Sequence, residues 1–412
     1  MSGVDRGNWA GTEIAGATRL NDAGRQARIV NMGGIVRVGI IGCGNITLRR
    51  HLPAFAAVAG VEVRALADPT PDRLQIARAA AGLTEADCAL DWREVIARPD
   101  IDAVVVATPQ RVRPTIAIAA AEAGKHLLCE KPLALSPAEA HAMVEVADSH
   151  RVTLATVHNY IFMPVYRAIK EVLDSGEIGE VEVVTLNFLS VEDRPGAAAY
   201  APRWRHAAAE AGGGVLMDML HAVYLAGWFL GADPIAVSAV VDRRLDGEGD
   251  VEDFALVRYD YPRGHALINM AWGHGPGGVE LAGTRGRLML INEGFGTHPF
   301  VPPERIHVVG PAGHRAFAPD PEVAPSFELI VADFRDAVAQ GRPPAAGGVA
   351  GAAALEAVIG AYASAALRQE VTLPLELANP IYTRGAAGIP QLTLPEGSLV
   401  RRRGLFGVGR AH

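Results

Sequence analysis

The sequence predicts an α/β protein of two domains, the first built on a doubly wound parallel sheet and the second on a mostly antiparallel sheet. Three observations support this fold class. The chain has 412 residues, more than a single hydrophobic core usually serves. Strand and helix patterns alternate up to about residue 157, which is typical of βαβ units. After about residue 178, strand patterns follow one another with few helices between them.

The first domain is predicted over residues 35–157, after a flexible leader over 1–34. Its first strand, 35–41, is almost entirely apolar, as a strand covered on both faces should be. Ser136, Pro137 and Glu139 form a capping box, which predicts that a helix begins there. Four further strands are predicted at 61–67, 103–107, 127–129 and 152–157.

The second domain is predicted over residues 158–375. Gly, Pro and Asp turns separate its strands, which are expected at 181–191, 235–241, 254–259, 265–272 and 287–291. Helical patterns return at 326–340, where Gly341 provides the stop, and at 352–368. The tail, 376–412, is rich in Pro and Gly and has no clear period, so no structure or role is assigned to it.

Composition limits the partners and the compartment. The formal net charge of −8 disfavours nucleic acid and anionic membrane surfaces, which both attract basic proteins. Cys43, Cys88 and Cys129 show no metal-binding spacing, and so few cysteines indicate a reducing compartment. No apolar run close to 20 residues and no signal-peptide core is evident, so we expect a cytoplasmic protein without a membrane partner or a metal.

A glycine-rich turn follows the first strand and predicts a dinucleotide site. Gly42 permits a tight turn, and Gly44 lets the backbone approach a pyrophosphate. Asn45 and Ile46 open the helix, whose free amides and dipole favour phosphate. Thr47 stands where the third glycine of the usual fingerprint would be, so helix and strand are expected to pack less closely.

Asp68, at the end of the second strand, predicts which cofactor binds. A carboxylate at this position accepts hydrogen bonds from the ribose hydroxyls of NAD and repels the 2′-phosphate of NADP. NAD is therefore the expected cofactor, with NADP the less favoured one. The alternative is that Asp68 and Pro69 only begin a turn.

Further strings make a family recognisable. They are Ala107-Thr108-Pro109, Glu122-Ala123-Gly124-Lys125-His126, Cys129-Glu130-Lys131-Pro132, and Gly212-Gly213-Gly214 leading into Asp218 and His221. With them, residues 36–375 resemble the glucose–fructose oxidoreductase / inositol dehydrogenase / MocA family. The resemblance implies an N-terminal Rossmann domain that binds NAD, with Thr108, Pro109, Glu130 and Lys131 at the cofactor. It also implies a C-terminal α/β domain whose large open sheet joins homodimers or homotetramers.

Three residues are the predicted catalytic group. Lys131 follows a sheet strand and can hydrogen-bond the reacting oxygen, and the resemblance places it beside the nicotinamide. His221 is a natural base for a hydroxyl proton, and Asp218 could orient its ring. On one helix the two would share a face. The family separates them by four positions and this chain by three, which leaves three alternatives: both are catalytic, one is displaced from its usual role, or the pair is structural.

Other positions depart from the family pattern or suggest substrate contacts. Arg113 stands where the family often has His, and Ile161 where it often has Arg. His158 and Tyr160 lie in that second segment and are predicted to contact substrate. Trp204 and Arg205 resemble a loop over the pocket, where they could hold a polyol or an acidic sugar; the alternative is an ordinary packed tryptophan.

These residues favour reversible hydride transfer between NAD and a hydroxyl of a sugar, sugar derivative or cyclitol. In this hypothesis His221 takes the hydroxyl proton, Lys131 polarises the oxygen and Asp218 tunes His221. A second hypothesis retains NAD and uses transient oxidation for epimerisation, elimination or glycoside cleavage. A third, from a different class, is a regulatory protein that binds NAD without turnover.

Overall fold

The computed structural model describes residues 34–190, 203–244, 249–272, 277–292, 304–320 and 322–391. The predicted leader therefore lies outside the described residues except for Gly34, and the predicted tail is described only as far as residue 391. In that part of the tail, a short helix at Pro380–Arg384 and a 3₁₀ turn at Gly385–Gln391 bury Ile381 and Ile389 in the main hydrophobic core. The beginning of the tail thus belongs to the folded protein.

Within the described residues, six parallel strands form the first sheet. They are β1 (Val36–Ile41), β2 (Val61–Ala67), β3 (Cys88–Ala89), β4 (Ala103–Val106), β5 (His126–Cys129) and β6 (Leu154–Thr156). Their order across the sheet is β3-β2-β1-β4-β5-β6. The sequence predicted every strand but β3, whose two residues are too few to show a hydrophobic pattern. The Rossmann topology of the first domain is confirmed.

Among the strands that the structure describes, nine form the second sheet. They are β7 (Val181–Ser190), β8 (Ala236–Asp242), β9 (Phe254–Asp260), β10 (His265–Trp272), β11 (Gly278–Gly283), β12 (Gly286–Asn292), β13 (Glu304–Gly310), β14 (Gly313–Phe317) and β15 (Val371–Thr372). The order is β14-β13-β12-β11-β7-β10-β9-β8-β15. Only the pairing of β7 with β10 is parallel, so the predicted open, mostly antiparallel sheet is confirmed.

The helices of the described residues begin and end as follows. They are α1 (Leu52–Ala57), α2 (Pro71–Ala81), α3 (Trp92–Ala97), α4 (Arg113–Glu122), α5 (Pro137–Ser149), α6 (Pro164–Asp174), α7 (Ala208–Ala211), α8 (Val215–Asp218), α9 (His221–Leu230), α10 (Ser326–Gln340), α11 (Gly348–Leu367) and α12 (Pro380–Arg384). The predicted capping box is present at α5, where Ser136 Oγ accepts a hydrogen bond from the Glu139 amide.

Helix α10 returns from the second half of the chain to the first sheet. Its residues Phe327 and Val331 share one buried cluster with Val38 and Ile40 of β1. The opposite face of the first sheet belongs to a larger cluster, which also contains the inner face of the second sheet and most of α11. The two sheets are thereby held together along a continuous apolar interior.

Helix α11 corrects one sequence-based expectation. Its 20 residues, Gly348–Leu367, are long and apolar enough to cross a bilayer, so the statement that no apolar run approaches that length is wrong. The helix is instead a core element, because 78% of its most apolar window is buried inside the protein. Alanine and glycine make up much of it, and these small residues let it pack closely against α5 and β8.

Candidate active site

Three strand ends of the first sheet bring predicted cofactor residues to one edge. In the strand register Ile41 pairs with Val106, and Val106 pairs with Cys129. The segments that follow these positions therefore leave the sheet side by side, and they carry Gly42, Thr108 and Lys131. The order of the strands reverses at β1, since β2 lies on one side of it and β4 on the other. Open α/β sheets bind ligands at such an edge.

The turn after β1 fits a pyrophosphate. Gly42 has φ +100°, and a Cβ on it would lie 2.7 Å from the carbonyl oxygen of Ala107. A Cβ on Gly44 would meet nothing within 4 Å, so this side of the turn is open to a ligand. The chain becomes helical at Asn45, which is exposed, and the first amides of a helix lack partners within it. Ile46 follows and is half-buried.

Thr47 takes the place of the third glycine without opening the turn. Its Oγ1 donates a hydrogen bond of 2.6 Å to the carbonyl oxygen of Gly42, and the residue is fully buried. The backbone over Thr47–His51 is a π-helical turn that leads into α1. The hydroxyl therefore ties the start of the helix to the glycine turn.

Asp68 holds the same turn from the end of β2. Its Oδ2 accepts a hydrogen bond of 2.8 Å from the Cys43 amide, and its Oδ1 accepts one of 2.8 Å from the Thr70 amide. The residue is 7% exposed. Asp68 therefore orders a turn, as one interpretation of the sequence predicted. Each of its oxygens keeps a second lone pair that could accept a hydrogen bond from a ribose hydroxyl, and this contact stays a prediction.

The segment after β4 is fixed by a buried arginine. Arg113, which is 3% exposed, donates to the carbonyl oxygens of Thr108 and Pro132 and so joins the ends of β4 and β5. Burial lowers the pKa of its guanidinium to about 10, and the carboxylate of Glu130 opposes that shift. Arg113, which stands where the family often has His, thus bridges two backbone segments of the site. Thr108 Oγ1 is buried and has no partner in the described residues, so it suits a ligand at this edge.

The segment after β5 carries a buried hydrogen bond between Glu130 and His51. Glu130 Oε1 lies 2.9 Å from Nε2 of His51, whose side chain is fully buried. Burial would raise the pKa of Glu130, but the hydrogen bond from His51 and the charges of Arg113 and Lys131 hold it below its usual value. Glu130 Oε2 also accepts from the Lys131 amide at 3.3 Å. Its contacts therefore order the strand end, and its predicted contact with the cofactor stays a prediction.

Lys131 faces Asp218 across the site. Its Nζ donates to the backbone oxygen of Asp218 at 2.6 Å and lies 3.5 Å from Oδ1 of the same residue. Nε of Arg205 lies 3.9 Å from that Oδ1. Burial would raise the pKa of Asp218, but the charges of Lys131 and Arg205 keep it below the usual value. The Lys131 and Asp218 side chains are 15% and 18% exposed, so both can reach a ligand.

The loop predicted to cover the pocket does approach it. Arg205 stacks over the ring of Trp204, with 5.1 Å between the guanidinium carbon and the ring centre. Both lie in a 3₁₀ turn at Arg203–His206. The neighbouring α7 is tied to the first domain, because Gln110 Nε2 donates to the carbonyl oxygen of Ala211 at 3.1 Å.

The prediction that Asp218 and His221 lie on one face of one helix is wrong. Asp218 ends α8, His221 begins α9, and the helical segments on the two sides differ in direction by 44°. Met219, which caps α8 at φ −95° and ψ 26°, has left the helix. Because of this break, the Asp218 side chain faces Lys131, whereas Nδ1 of His221 is hydrogen-bonded to the hydroxyl of Tyr224 at 2.7 Å.

Four rings pack together behind these residues. Tyr160 stacks on His221 with 4.0 Å between ring centres, and His158 stacks on Tyr224 with 3.9 Å. Burial, with a smaller effect from Lys131, lowers the pKa of His158 to about 3 and that of His221 well below its usual value. Both imidazoles are therefore neutral at physiological pH. Both ring nitrogens of His158 are buried without a partner in the part of the chain that the structure describes.

Glu252 holds the glycine segment that precedes Asp218. Its carboxylate accepts hydrogen bonds from the amides of Gly214, at 2.7 Å, and Leu216, at 3.0 Å. The hydroxyl of Tyr362 donates to it at 2.6 Å. Glu252 is fully buried, and this burial raises its pKa to about 7. The start of α8, and with it Asp218, is thus fixed by one carboxyl group.

We expect Glu252 to make the stability of the protein depend on pH. Between the ordinary value of 4.5 and about 7, the folded protein keeps a proton that the unfolded chain releases. The free energy of unfolding should therefore fall as pH rises through this window, by at most about 1.4 kcal/mol per pH unit. Urea unfolding from about pH 5 to about pH 8 measures this slope. Glu252→Gln should be less stable and should lose this part of the slope; an unchanged slope would contradict the assignment.

The sequence did not single out His51, Tyr224 or Glu252. Each of them makes a hydrogen bond to a residue that is distant in the chain: His51 to Glu130, Tyr224 to Tyr160, and Glu252 to Gly214. No local sequence pattern predicts such contacts. The one available signal was Tyr224 itself, which lies one helical turn after His221 on the same side of α9. In the described residues, no group of three or more His, Cys, Asp or Glu could bind a metal ion.

Comparison with known proteins identifies the family. Residues 36–158 match the oxidoreductase family with an NAD-binding Rossmann fold, and residues 166–289 match the GFO/IDH/MocA C-terminal domain. A dTDP-3,4-didehydro-2,6-dideoxy-alpha-D-glucose 3-reductase from Streptomyces violaceoruber is 30% identical over 68% of this chain and 75% of its own. An inositol 2-dehydrogenase from Rhizobium meliloti (strain 1021) is 28% identical over 63% of this chain and 76% of its own.

A solved structure has the same two-domain fold. Levoglucosan dehydrogenase, in complex with NADH and levoglucosan, superimposes with a TM-score of 0.72 at 25% sequence identity. The superposition covers 82% of this chain and all of the other. Because the two family models together match more than half of the chain and a relative of 30% identity covers more than two thirds of it, the chain belongs to the GFO/IDH/MocA family of NAD-binding oxidoreductases.

Proposed function

We propose that the chain transfers hydride reversibly between NAD and a secondary hydroxyl of a sugar, sugar derivative or cyclitol. The observation that carries this proposal is the position of Lys131. Its ammonium lies at the carboxyl end of β5, on the sheet edge that also carries the glycine turn, and 2.6 Å from the backbone oxygen of Asp218. A cation at that edge can hydrogen-bond an oxygen whose negative charge grows during the reaction.

The residues of the site have separate roles in this proposal. The glycine turn, the helix start at Asn45, and Thr108 would hold NAD, which supplies the hydride acceptor or donor. Lys131 would contact the reacting oxygen, while Asp218 and Arg205 would orient other hydroxyls of the substrate. The hydroxyl proton has two candidate acceptors: Nε2 of His221, which the sequence favoured, and Nζ of Lys131 once its ammonium has released a proton to solvent.

The relatives support this substrate class without naming the substrate. One is named as a 3-reductase of a dTDP-linked didehydro sugar, one is named for inositol, and one was solved with levoglucosan. The contacts predicted for His158, Tyr160, Trp204 and Arg205 are part of the proposal. His158 supports it most directly, because no described residue is hydrogen-bonded to its two buried ring nitrogens, and a ligand or water could be their partner.

A substrate panel tests the proposal. Purified protein is mixed with NAD, or in parallel with NADP, and with sugars, uronic acids, inositols, aminocyclitols and anhydro sugars, and the absorbance of the reduced cofactor is followed. We expect turnover with at least one class, and a larger kcat/KM with NAD than with NADP because of Asp68. No turnover, with NAD found in the denatured protein, would favour the internal-redox hypothesis. No turnover with only reversible NAD binding would favour the regulatory one.

The predicted homodimer or homotetramer and the cytoplasmic location stay predictions. The outer face of the second sheet supports association. Val240, Leu256 and Leu267 lie on β8, β9 and β10 and are 48%, 48% and 43% exposed. Val240 and Leu256 are directly paired across the strands, so they form a continuous apolar surface that a second copy could cover.

A further inference from the structure

Tyr224 joins two segments of the site through one hydroxyl group. Its oxygen lies 2.7 Å from Nδ1 of His221 and 3.0 Å from the amide nitrogen of Tyr160. The ring is buried, with His158 stacked on one face. The position of His221 is thus set by the side chain of Tyr224.

The stacked rings leave His221 little freedom to turn. Tyr160 lies parallel to the imidazole, with 10° between the planes and 4.0 Å between the centres. The backbone amide of that same Tyr160 binds the Tyr224 hydroxyl. The imidazole plane and its hydrogen-bond partner are therefore fixed by the same short segment.

The positions of the protons follow from the donors and acceptors present. The Tyr160 amide can only donate, so the Tyr224 oxygen accepts from it. In the described part of the chain, the hydroxyl hydrogen of Tyr224 has one remaining acceptor, Nδ1 of His221. If Nδ1 carried the hydrogen instead, the phenol hydrogen would be buried without an acceptor, at a cost of about 1–3 kcal/mol.

We propose that Tyr224 is a positioning residue whose hydroxyl donates to Nδ1 of His221, so that the neutral imidazole carries its hydrogen on Nε2. Nε2 is hydrogen-bonded to no described residue and is the nitrogen left for a ligand. His221 then offers an N–H group to a substrate oxygen.

This assignment changes the role of His221 in catalysis, and this consequence alone rests on the proposed function. A nitrogen that already carries hydrogen cannot accept the proton of the substrate hydroxyl. In carbinol oxidation, where NAD would accept the hydride, the O–H proton would then pass to Nζ of Lys131, after that ammonium has released a proton to solvent. The burial that lowers the pKa of His221 favours the neutral ring that the assignment requires.

Nitrogen NMR of the imidazole tests the assignment without any substrate. The protein is labelled with ¹⁵N-histidine, and the signals of His221 among the 13 histidines are identified as those missing from His221→Gln. In a neutral ring the protonated and bare nitrogens have well-separated shifts. We expect Nε2 protonated and Nδ1 bare in the wild type. In Tyr224→Phe the two signals should move towards each other, because Nδ1 has lost its donor. A protonated Nδ1 in the wild type would overturn the proposal.

Tyr259→Phe is the matched control. Tyr259 is also fully buried, and its hydroxyl donates to the carbonyl oxygen of Ala357 at 3.1 Å, on the inner face of β9. Both variants should lose about 1 kcal/mol of stability. Only Tyr224→Phe should alter the His221 signals, and with a substrate from the panel only it should lower kcat, by about tenfold. Unaltered His221 signals in Tyr224→Phe would reduce Tyr224 to a core residue. Absence of turnover would count against the proposed function and leave the NMR result to decide the tautomer.

Discussion

Lys131→Met is expected to lower kcat by about 10³-fold or more, with the affinity for NAD within about threefold of the wild type. Methionine keeps most of the length of the lysine stem but has no ammonium group. The variant would therefore lose both the hydrogen bond to the reacting oxygen and the contact of 2.6 Å with the backbone of Asp218. The glycine turn, which would hold the pyrophosphate, is not in contact with Nζ, so cofactor binding should survive.

The measurement pairs turnover of the best substrate in the panel with a titration of NAD by protein fluorescence. Lys170→Met serves as the control, because Lys170 lies on α6 and is ion-paired with Asp174 away from the site. It should keep wild-type kcat. If Lys131→Met retained a tenth of the wild-type activity, Lys131 would not be the group that contacts the reacting oxygen.

The fold and the Lys131 edge could be predicted because they depend on local patterns. A buried parallel strand is a run of apolar residues, and a capping box is three residues, so β1 and α5 can be read directly. The carboxyl ends of parallel strands meet at one edge, which is why Gly42, Thr108 and Lys131 could be grouped. In contrast, β14 is a short, exposed strand without apolar alternation, and β13 alternates only briefly, at Ile306 and Val308.

The arrangement around His221 could not be predicted, since it depends on contacts between distant segments. Residues of α8 and α9 suit one continuous helix by their spacing. The chain instead breaks at Met219, after a segment that begins at Gly214 and is fixed by Glu252, 38 residues beyond that glycine. The hydrogen-bond partner of His221 depends in turn on the backbone of Tyr160, 64 residues before Tyr224. The two residues between α8 and α9, Met219 and Leu220, thus place Asp218 and His221 on different helices, whereas the family pattern predicted one helix.

Gly214→Ala is expected to destabilise the protein by more than about 3 kcal/mol, because the new methyl group has no space. A Cβ on Gly214 would lie 1.8 Å from the carbonyl oxygen of Glu252. That oxygen cannot move away freely, since it accepts a hydrogen bond of 3.1 Å from the Val215 amide. Urea unfolding measures the loss. Gly278→Ala is the control, since its Cβ would meet only the carbonyl oxygen of Leu290, at 4.0 Å, and it should change stability by less than about 0.5 kcal/mol.

Any Gly214→Ala protein that folds should also lose turnover beyond its loss of stability. The amide of Asp218 is hydrogen-bonded to the carbonyl oxygen of Gly214 at 2.9 Å, so a shift at Gly214 moves the residue that Lys131 contacts. NAD affinity should be preserved, because the glycine turn after β1 lies on another segment of the chain. If the free energy of unfolding and the kcat of Gly214→Ala were both within twofold of those of the control, the hydrogen bonds of Glu252 to Gly214 and Leu216 would not set the position of Asp218. Loss of kcat at preserved NAD affinity would show that the buried carboxyl group of Glu252 positions Asp218, which would contact the substrate.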